Sequence, residues 1–339
     1  NADGGTRPAT NTYTPGGTAI TVPTPTKTGS TFLGWFDAAS GGTRIGNGGA
    51  SYSPSASTTL YAQWALNTYT VTLNRGTNGT GVDNTVTKTY GQDLTLPNGT
   101  SANSWFTRTG YSVSGWSTAT AGTSTDYSFV GTYTSNSAQT LYPVWSANSN
   151  TVTFSNNGGS GAMSNQSITT DVATALTANS FTRTGYSFAG WATTSGGAVA
   201  YSDSQSVTLT GGLDLHAKWT ANTNTVTFNN NTGSGSMSSQ SITTDVATSL
   251  TTSSFTKSGY TFAGWATSSG GAVAYTNSQT VTLTAGLDLY AKWTADSNAV
   301  SFDANSGSGT MSNQSITTDV ATALTNNTFT RVGYAFSSW

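Results

Sequence analysis

The chain has 339 residues, of which only 7% are charged; Glu and Cys do not occur, and there is one His. A formal net charge of −2 excludes the basic surface that nucleic-acid binding requires, and the lack of Cys excludes disulfides and thiolate chemistry. No run of about 18 apolar residues occurs, so no membrane-spanning segment is predicted. Ten Trp, fifteen Tyr and thirteen Phe indicate folded modules rather than a disordered chain.

A short motif that begins with Gly and ends with Trp recurs along the chain. Its copies, in chain order, are Gly29–Trp35, Gly110–Trp116, Gly185–Trp191, Gly259–Trp265 and Gly333–Trp339. Four of them are followed by a second motif, Leu60–Trp64, Leu141–Trp145, Leu215–Trp219 and Leu289–Trp293. This recurrence predicts a tandem array of one small module.

The spacing of the motifs sets the module size. Trp191, Trp265 and Trp339 are 74 positions apart, while the earlier steps are 75 and 81, so each repeat is a small domain rather than a solenoid turn. The predicted modules, called the first to the fifth below, are 1–65, 66–147, 148–221, 222–295 and 296–339. The first lacks its opening strand and the last lacks its C-terminal half, so we expect the sequence to be part of a longer protein.

The fourth module shows the expected elements most clearly. Alternation of apolar and polar residues predicts strands at 225–228, 240–244, 260–267 and 287–293, while 281–284 is either a weak strand or a single turn of helix. Residues 245–250 are compatible with an extended segment or one capped helical turn. Strict alternation places Phe262 and Trp265 on opposite faces of their strand, although Gly264 indicates a bulge. We therefore predict mainly β modules of about 74–81 residues.

Large aromatic side chains are the predicted core of each module, since burying each contributes roughly 1.5–3 kcal/mol. The predicted core residues are Trp35, Trp64, Trp116, Trp145, Trp191, Trp219, Trp265, Trp293, Tyr186, Tyr260, Phe188 and Phe262. The connections between modules are too short to act as flexible linkers. We therefore predict an elongated rod whose length is set by the number of modules.

Residues 260–265, followed by Gly270-Gly271 and by 289–293, resemble the Listeria–Bacteroides repeat, which includes the B repeat of internalin-type surface proteins. The similarity covers nearly the whole chain. It implies a compact β-grasp-like module of bacterial secreted or surface proteins, used in stalks and adhesins, with no catalytic residue to transfer. Ser30, His216 and Pro143 depart from the pattern, and Pro143 is expected to interrupt regular strand pairing.

Few side chains are candidates for chemistry. His216 occupies a position that is Tyr in the other modules, so we interpret Tyr61, Tyr142, His216 and Tyr290 as candidate surface contacts rather than catalytic groups. The loop at 303–307 lacks the Glu that closes a calcium loop, and the Lys positions vary between modules, which argues against a shared crosslink. We predict no catalytic, cofactor or metal site.

The leading hypothesis is a structural, extracellular stalk or fibre segment of a bacterial surface or secreted protein, without enzymatic activity or cofactor. One alternative is an adhesin that binds a host or cell-surface protein or glycan through the repeated aromatic positions, gaining avidity from repetition. Another is a filament subunit in which copies of the chain, or neighbouring modules, pair through exposed strand edges. We predict no nucleic-acid partner and no membrane insertion.

Overall fold

The computed structural model describes residues 2–339, so residue 1, at the start of the predicted first module, lies outside the described residues. Strands make up 41% of the chain and helix 2%, which confirms the mainly β prediction. The chain forms two compact units. One contains the chain up to Val152 together with Ser167–Thr174 and Ser206–Leu213, and the other contains Thr153–Gln166, Ala175–Gln205 and Asp214–Trp339.

The first two modules contain thirteen strands and one helix. The strands of the first module are β1 (Ile20–Thr21), β2 (Ser30–Phe36), β3 (Arg44–Gly46), β4 (Ser51–Tyr52) and β5 (Tyr61–Leu66). Those of the second are β6 (Thr68–Leu73), β7 (Thr80–Gly81), β8 (Asn84–Thr89), β9 (Leu94–Thr95), β10 (Phe106–Thr107), β11 (Tyr111–Ser117), β12 (Thr132–Tyr133) and β13 (Gln139–Ala147), with the helix α1 (Gly99–Trp105) between β9 and β10.

The remaining modules repeat a simpler set of strands. The third contains β14 (Ser149–Ser155), β15 (Gln166–Thr169), β16 (Thr174–Ala175), β17 (Tyr186–Ala192), β18 (Ser206–Val207) and β19 (Leu213–Ala221). The fourth contains β20 (Thr223–Asn229), β21 (Gln240–Thr243), β22 (Thr248–Ser249), β23 (Tyr260–Ala266), β24 (Thr280–Val281) and β25 (Leu287–Ala295), and the fifth contains β26 (Ser297–Val300) and β27 (Gln314–Thr317).

The main sheet of the fourth module has the strand order β21-β20-β25-β23, and that of the second module is β11-β13-β6-β8. In both sheets the two central strands are the first and last long strands of the module, and they run parallel. The outer strands pair antiparallel to them. The residues at 245–250 form a turn and the short strand β22 rather than a helical turn.

A β-bulge corrects the predicted alternation in the strand that carries the first Trp motif. The register between β23 and β25 shifts between Phe262 and Gly264, where Gly264 has φ +138°. A bulge changes which face the following residues point to, so the rings of Phe262 and Trp265 lie on the same side, with centroids 4.9 Å apart. The prediction that these two residues face opposite sides was therefore wrong.

The first Trp of each of the first four modules lies at the centre of its core, whereas the corresponding Trp339 of the fifth module is exposed. Trp116, Trp191 and Trp265 are fully buried and Trp35 is nearly so. Phe rings surround Trp191 and Trp265 in edge-on or tilted arrangements, which aromatic pairs favour. The other predicted core residues are half-buried, namely Trp64, Trp145, Trp219, Trp293, Tyr186, Tyr260, Phe188 and Phe262.

The second module departs from the simpler set in two ways. The sequence did not predict helix α1, which is capped by the Asn98 side chain accepting a hydrogen bond from the Ser101 backbone amide, 3.0 Å away. Pro143 does not interrupt the pairing of β13 with β11, in which it lies opposite Trp116. The parallel pairing of β13 with β6 ends at Leu141, two residues before it.

Candidate functional site at the junction between modules

The closing strand of one module and the opening strand of the next are separated by one residue, here called the junction residue. The four junction residues are Asn67, Asn148, Asn222 and Asp296. At the second junction, the backbone amide of Asn148 donates to the Gly110 carbonyl (2.8 Å), and the Thr170 amide donates to the Asn148 carbonyl (2.9 Å). Each junction residue therefore ties the Gly of one module's Trp motif to the residue that follows the second long strand of the next module.

The same two backbone hydrogen bonds occur at all four junctions. The first uses Gly29, Asn67 and Tyr90; the third uses Gly185, Asn222 and Thr244; and the fourth uses Gly259, Asp296 and Thr318. A side-chain hydrogen bond accompanies them, from the hydroxyl of Thr31, Ser112, Ser187 or Thr261 to Oδ1 of the junction residue, at 2.6–2.8 Å. The geometry of the junction is thus a repeated feature of the chain.

The Gly at each junction is required by both conformation and space. Gly185 has φ +77°, which favours glycine. A Cβ on Gly185 would lie 2.7 Å from Cγ2 of Thr244, closer than real Cβ contacts. Thr244 is buried, and its hydroxyl accepts a hydrogen bond from the Asn224 side chain at 3.0 Å, so the next module holds this Thr rigidly against the Gly.

A tyrosine and an aspartate also join the modules at three junctions. The hydroxyls of Tyr111, Tyr186 and Tyr260 donate to Oδ2 of Asp171, Asp245 and Asp319, at 2.9, 2.9 and 2.8 Å. Each Asp lies in the turn after the second strand of the following module, with φ +60°. The hydrogen bond to Asp raises the pKa of each Tyr, with a smaller rise from burial, because it stabilises the protonated phenol.

A cation stacks on each of these tyrosines from within its own module. Arg108, Arg183 and Lys257 lie 3.6, 3.9 and 4.2 Å from the ring centroids of Tyr111, Tyr186 and Tyr260, well within the range of a cation–π interaction. We call the cation, the Tyr and the Asp together the junction triad. In the fifth module, Arg331 also stacks on Tyr334, whose side chain is 68% exposed.

The first junction replaces the triad with a different contact. Ser30 occupies the position of the triad Tyr, and Gly91 occupies the position of the triad Asp. Tyr90, the residue before Gly91, corresponds to Thr170 of the third module. The ring of Tyr90 covers Gly29 so closely that a Cβ there would lie 2.1 Å from it. An aromatic ring therefore also packs at this junction, but it comes from the module after the junction, whereas the triad Tyr comes from the module before it.

The four candidate surface contacts lie elsewhere, on the outer face of the closing strands. Tyr61, Tyr142, His216 and Tyr290 are half-buried rather than fully exposed, and they lie opposite Phe36, Ser117, Ala192 and Ala266 in the neighbouring strand. Each belongs to a different module, so they do not form one site. Tyr142 lines an open cleft, whose walls also include Thr70, Thr72, Thr118, Gln139 and Thr140.

Sequence reasoning missed the junction residues, although a signal for them exists. The Tyr and Asp of a triad are 59 or 60 positions apart at each of the three junctions, so they recur together.

Within residues 2–339, no cluster of three or more His, Cys, Asp or Glu that could hold a metal ion is found. In the same range, no helix is long and apolar enough to span a membrane.

The sequence matches the Listeria-Bacteroides repeat domain family over residues 1–63, 69–144, 151–218, 225–292 and 299–339. The chain belongs to this family. Among similar curated proteins, one from Evansella cellulosilytica named "Putative Gly-rich membrane protein" is 27% identical over 92% of this chain and 36% of its own length.

Internalin H of Listeria monocytogenes is 36% identical over 107 residues, which are 30% of this chain and 17% of that protein. The repeat-domain chain thus spans much less than half the length of either relative. The five matched segments follow one another along the sequence, so the chain is a tandem repeat protein.

Proposed function

We propose that this chain is a spacer segment of a bacterial surface or secreted protein, in which the modules form an extended stalk that displays other elements. The observation that carries this proposal is the repeated junction. All four module boundaries join a Gly and a single Asn or Asp junction residue through the same backbone hydrogen bonds, and a spacer gains length from copying one rigid connection. The names of the relatives, a membrane protein and an internalin, support a location at the cell surface.

We propose further that the module fold is β-grasp-like. Numbering the long strands β20, β21, β23 and β25 from one to four gives the sheet order 2-1-4-3. In the second module, α1 lies between the second and third of these long strands. The mixed four-stranded sheet with its parallel central pair supports a β-grasp-like fold, and so does the helix between the second and third long strands of the second module.

Small-angle X-ray scattering of the whole chain tests the spacer function. A compact protein of this length has a radius of gyration of about 20 Å, and the stalk predicts a value well above it. A radius near the compact value would reject the proposal. A concentration series in the same experiment tests the filament alternative, which predicts that the apparent mass rises with concentration.

The adhesin alternative is favoured by one observation, the open cleft beside Tyr142 in the second module. Its walls carry Thr hydroxyls and the Gln139 amide, and an aromatic ring with polar neighbours suits a sugar. Glycan-array binding of the whole chain tests it, with Tyr142→Ala as the variant and Tyr61→Ala as the control. Binding that Tyr142→Ala alone abolishes would favour the adhesin, whereas no binding at high density would favour the spacer.

A further inference from the structure

We infer that the second and fourth modules resist tension applied along the chain, because the chain enters and leaves the main sheet of each through two adjacent parallel strands. In the fourth module the chain enters through β20 and leaves through β25, with Val226 opposite Leu287 and Asn229 opposite Tyr290. Two parallel strands pulled at opposite ends slide along each other. The hydrogen bonds between them are then strained together rather than one after another.

The pattern of bonds in a parallel pair suits this kind of loading. Its hydrogen bonds are evenly spaced and slanted along the strands, so the force is shared between them. The paired strands are central in the sheet, with β21 on one side and β23 on the other. Tension on the two ends of the module therefore cannot peel either strand from a free edge.

Side chains on both faces of the pair add resistance to sliding. On the inner face, Val226 and Leu289 are fully buried in the core next to Trp265. On the outer face, the Thr227 hydroxyl donates to the Asp288 carboxylate in the opposite strand. Sliding by one residue would break this hydrogen bond and move the apolar residues out of register with the core.

The second module has the same arrangement with a shorter overlap. Gln139, Thr140 and Leu141 of β13 lie opposite Val71, Thr72 and Leu73 of β6. Val71, Leu73 and Leu141 are fully buried. The Asn74 backbone amide extends the ladder by donating to the Leu141 carbonyl at 2.9 Å.

The junctions pass tension directly from one sheet into the next. The last strand of one module and the first strand of the following one are separated by a single junction residue, such as Asp296 between β25 and β26. The hydrogen bonds of that residue hold it in place. A chain built in this way has no slack segment to extend before the central strand pairs are loaded.

This inference deepens the proposed spacer function, since a stalk that holds an object at a surface is exposed to pulling forces. The mechanical inference and the spacer function can be rejected independently of each other. An extended chain with mechanically weak modules would reject this inference alone, whereas a compact chain with resistant modules would reject only the spacer. Forced unfolding is governed by the barrier to unfolding, so a force measurement tests it more directly than a melting temperature.

Single-molecule force spectroscopy on the whole chain can compare two pulling directions in one module, because the chain has no native Cys. Thr223→Cys with Thr294→Cys pulls β20 and β25 from opposite ends. Thr223→Cys with Ala285→Cys pulls both strands from the same end and opens them one hydrogen bond at a time. All three positions are exposed, so both variants keep the core intact.

We expect the rupture force of the Thr223–Thr294 variant to be several-fold higher than that of the Thr223–Ala285 variant at the same loading rate. The fully stretched span between the attachment points must match the residues that separate them, about 250 Å for the first pair and about 220 Å for the second, which verifies that a folded module opened. Equal forces, or a lower force for the Thr223–Thr294 pair, would overturn the inference.

Discussion

At the scale of single residues, the junction depends on a glycine that no other residue replaces without cost. Gly185 combines a left-handed φ of +77° with close contact to the buried Thr244. Gly333 has the same φ, but a Cβ there would meet no atom within 4 Å. The two glycines therefore separate the cost of the backbone conformation from the cost of the contact with the next module.

We predict that Gly185→Ala destabilises the chain more than Gly333→Ala does. Each substitution places Ala in a strained conformation, which costs about 1–3 kcal/mol. Only Gly185→Ala adds the clash with Thr244. Calorimetric unfolding of both variants measures the difference, with Gly196→Ala as the control, since Gly196 has open space around it. Equal destabilisation by Gly185→Ala and Gly333→Ala would show that the contact with Thr244 is unimportant.

The triad predicts how the junction responds to pH. The hydrogen bond to Asp245 raises the pKa of Tyr186, so the protonated phenol is favoured in the folded state. The contribution of this hydrogen bond to the stability of the folded state is complete below the unfolded-state pKa of Tyr186, which is about 10. It is lost as the pH rises through the raised pKa of Tyr186 in the folded state. We expect the wild-type chain to be more stable than Tyr186→Phe at neutral pH.

That stability difference should shrink as the pH rises above about 10, because the Tyr186 phenolate and Asp245 then repel each other. Denaturant unfolding of both proteins in parallel measures it, and the ionisation of all other tyrosines cancels in the comparison. A difference that stays constant up to pH 12 would exclude the hydrogen bond as its source.

At the scale of elements, the four central tryptophans are equivalent in sequence but differ in their hydrogen bonds. The indole nitrogens of Trp35 and Trp116 donate to the Pro23 and Pro97 carbonyls, at 2.7 and 3.3 Å. Those of Trp191 and Trp265 are buried with no hydrogen-bond partner within the described part of the chain. An unsatisfied buried donor costs about 1–3 kcal/mol.

We therefore predict that Trp265→Phe destabilises its module less than Trp116→Phe destabilises its own. Both substitutions remove similar volume from a fully buried site, but only Trp116→Phe breaks a hydrogen bond and leaves the Pro97 carbonyl without that donor. The expected difference is about 1 kcal/mol, measured by thermal unfolding. A larger loss for Trp265→Phe would contradict this explanation.

The strands themselves could be largely predicted from the sequence, since apolar alternation and repetition point to the same segments. The strands at 225–228, 240–244, 260–267 and 287–293 all have counterparts in the structure. The bulge at Gly264 made the predicted faces of Phe262 and Trp265 wrong, because a single extra residue reverses the alternation that follows it. Helix α1 was missed because it belongs to an insertion without a sibling in the other modules.

The junction was missed for a different reason. Its residues, such as Tyr186 and Asp245, are half-buried or exposed and belong to different modules, so their contact depends on how two domains meet. Periodicity reports which face of a strand is buried within a module. It carries no information about contacts between separate sheets.

At the scale of the whole molecule, coupling between modules follows from the junction contacts. Contacts in repeat arrays are local, so stability is a sum of module terms and nearest-neighbour terms. The backbone hydrogen bonds supply a nearest-neighbour term at each of the four boundaries, and the triad adds to it at three of them. Unfolding one module therefore removes contacts from its neighbours, and we expect loss of one module to lower the stability of the next.

The contacts of the third junction predict that the third and fourth modules are held in one fixed orientation. Spin labels on Thr193→Cys and Thr267→Cys occupy equivalent, exposed positions of the third and fourth modules, and pulsed electron paramagnetic resonance gives the distribution of distances between them. The fixed junction predicts a single narrow distance peak, which Tyr186→Phe broadens. A broad distribution in the otherwise wild-type chain would contradict it.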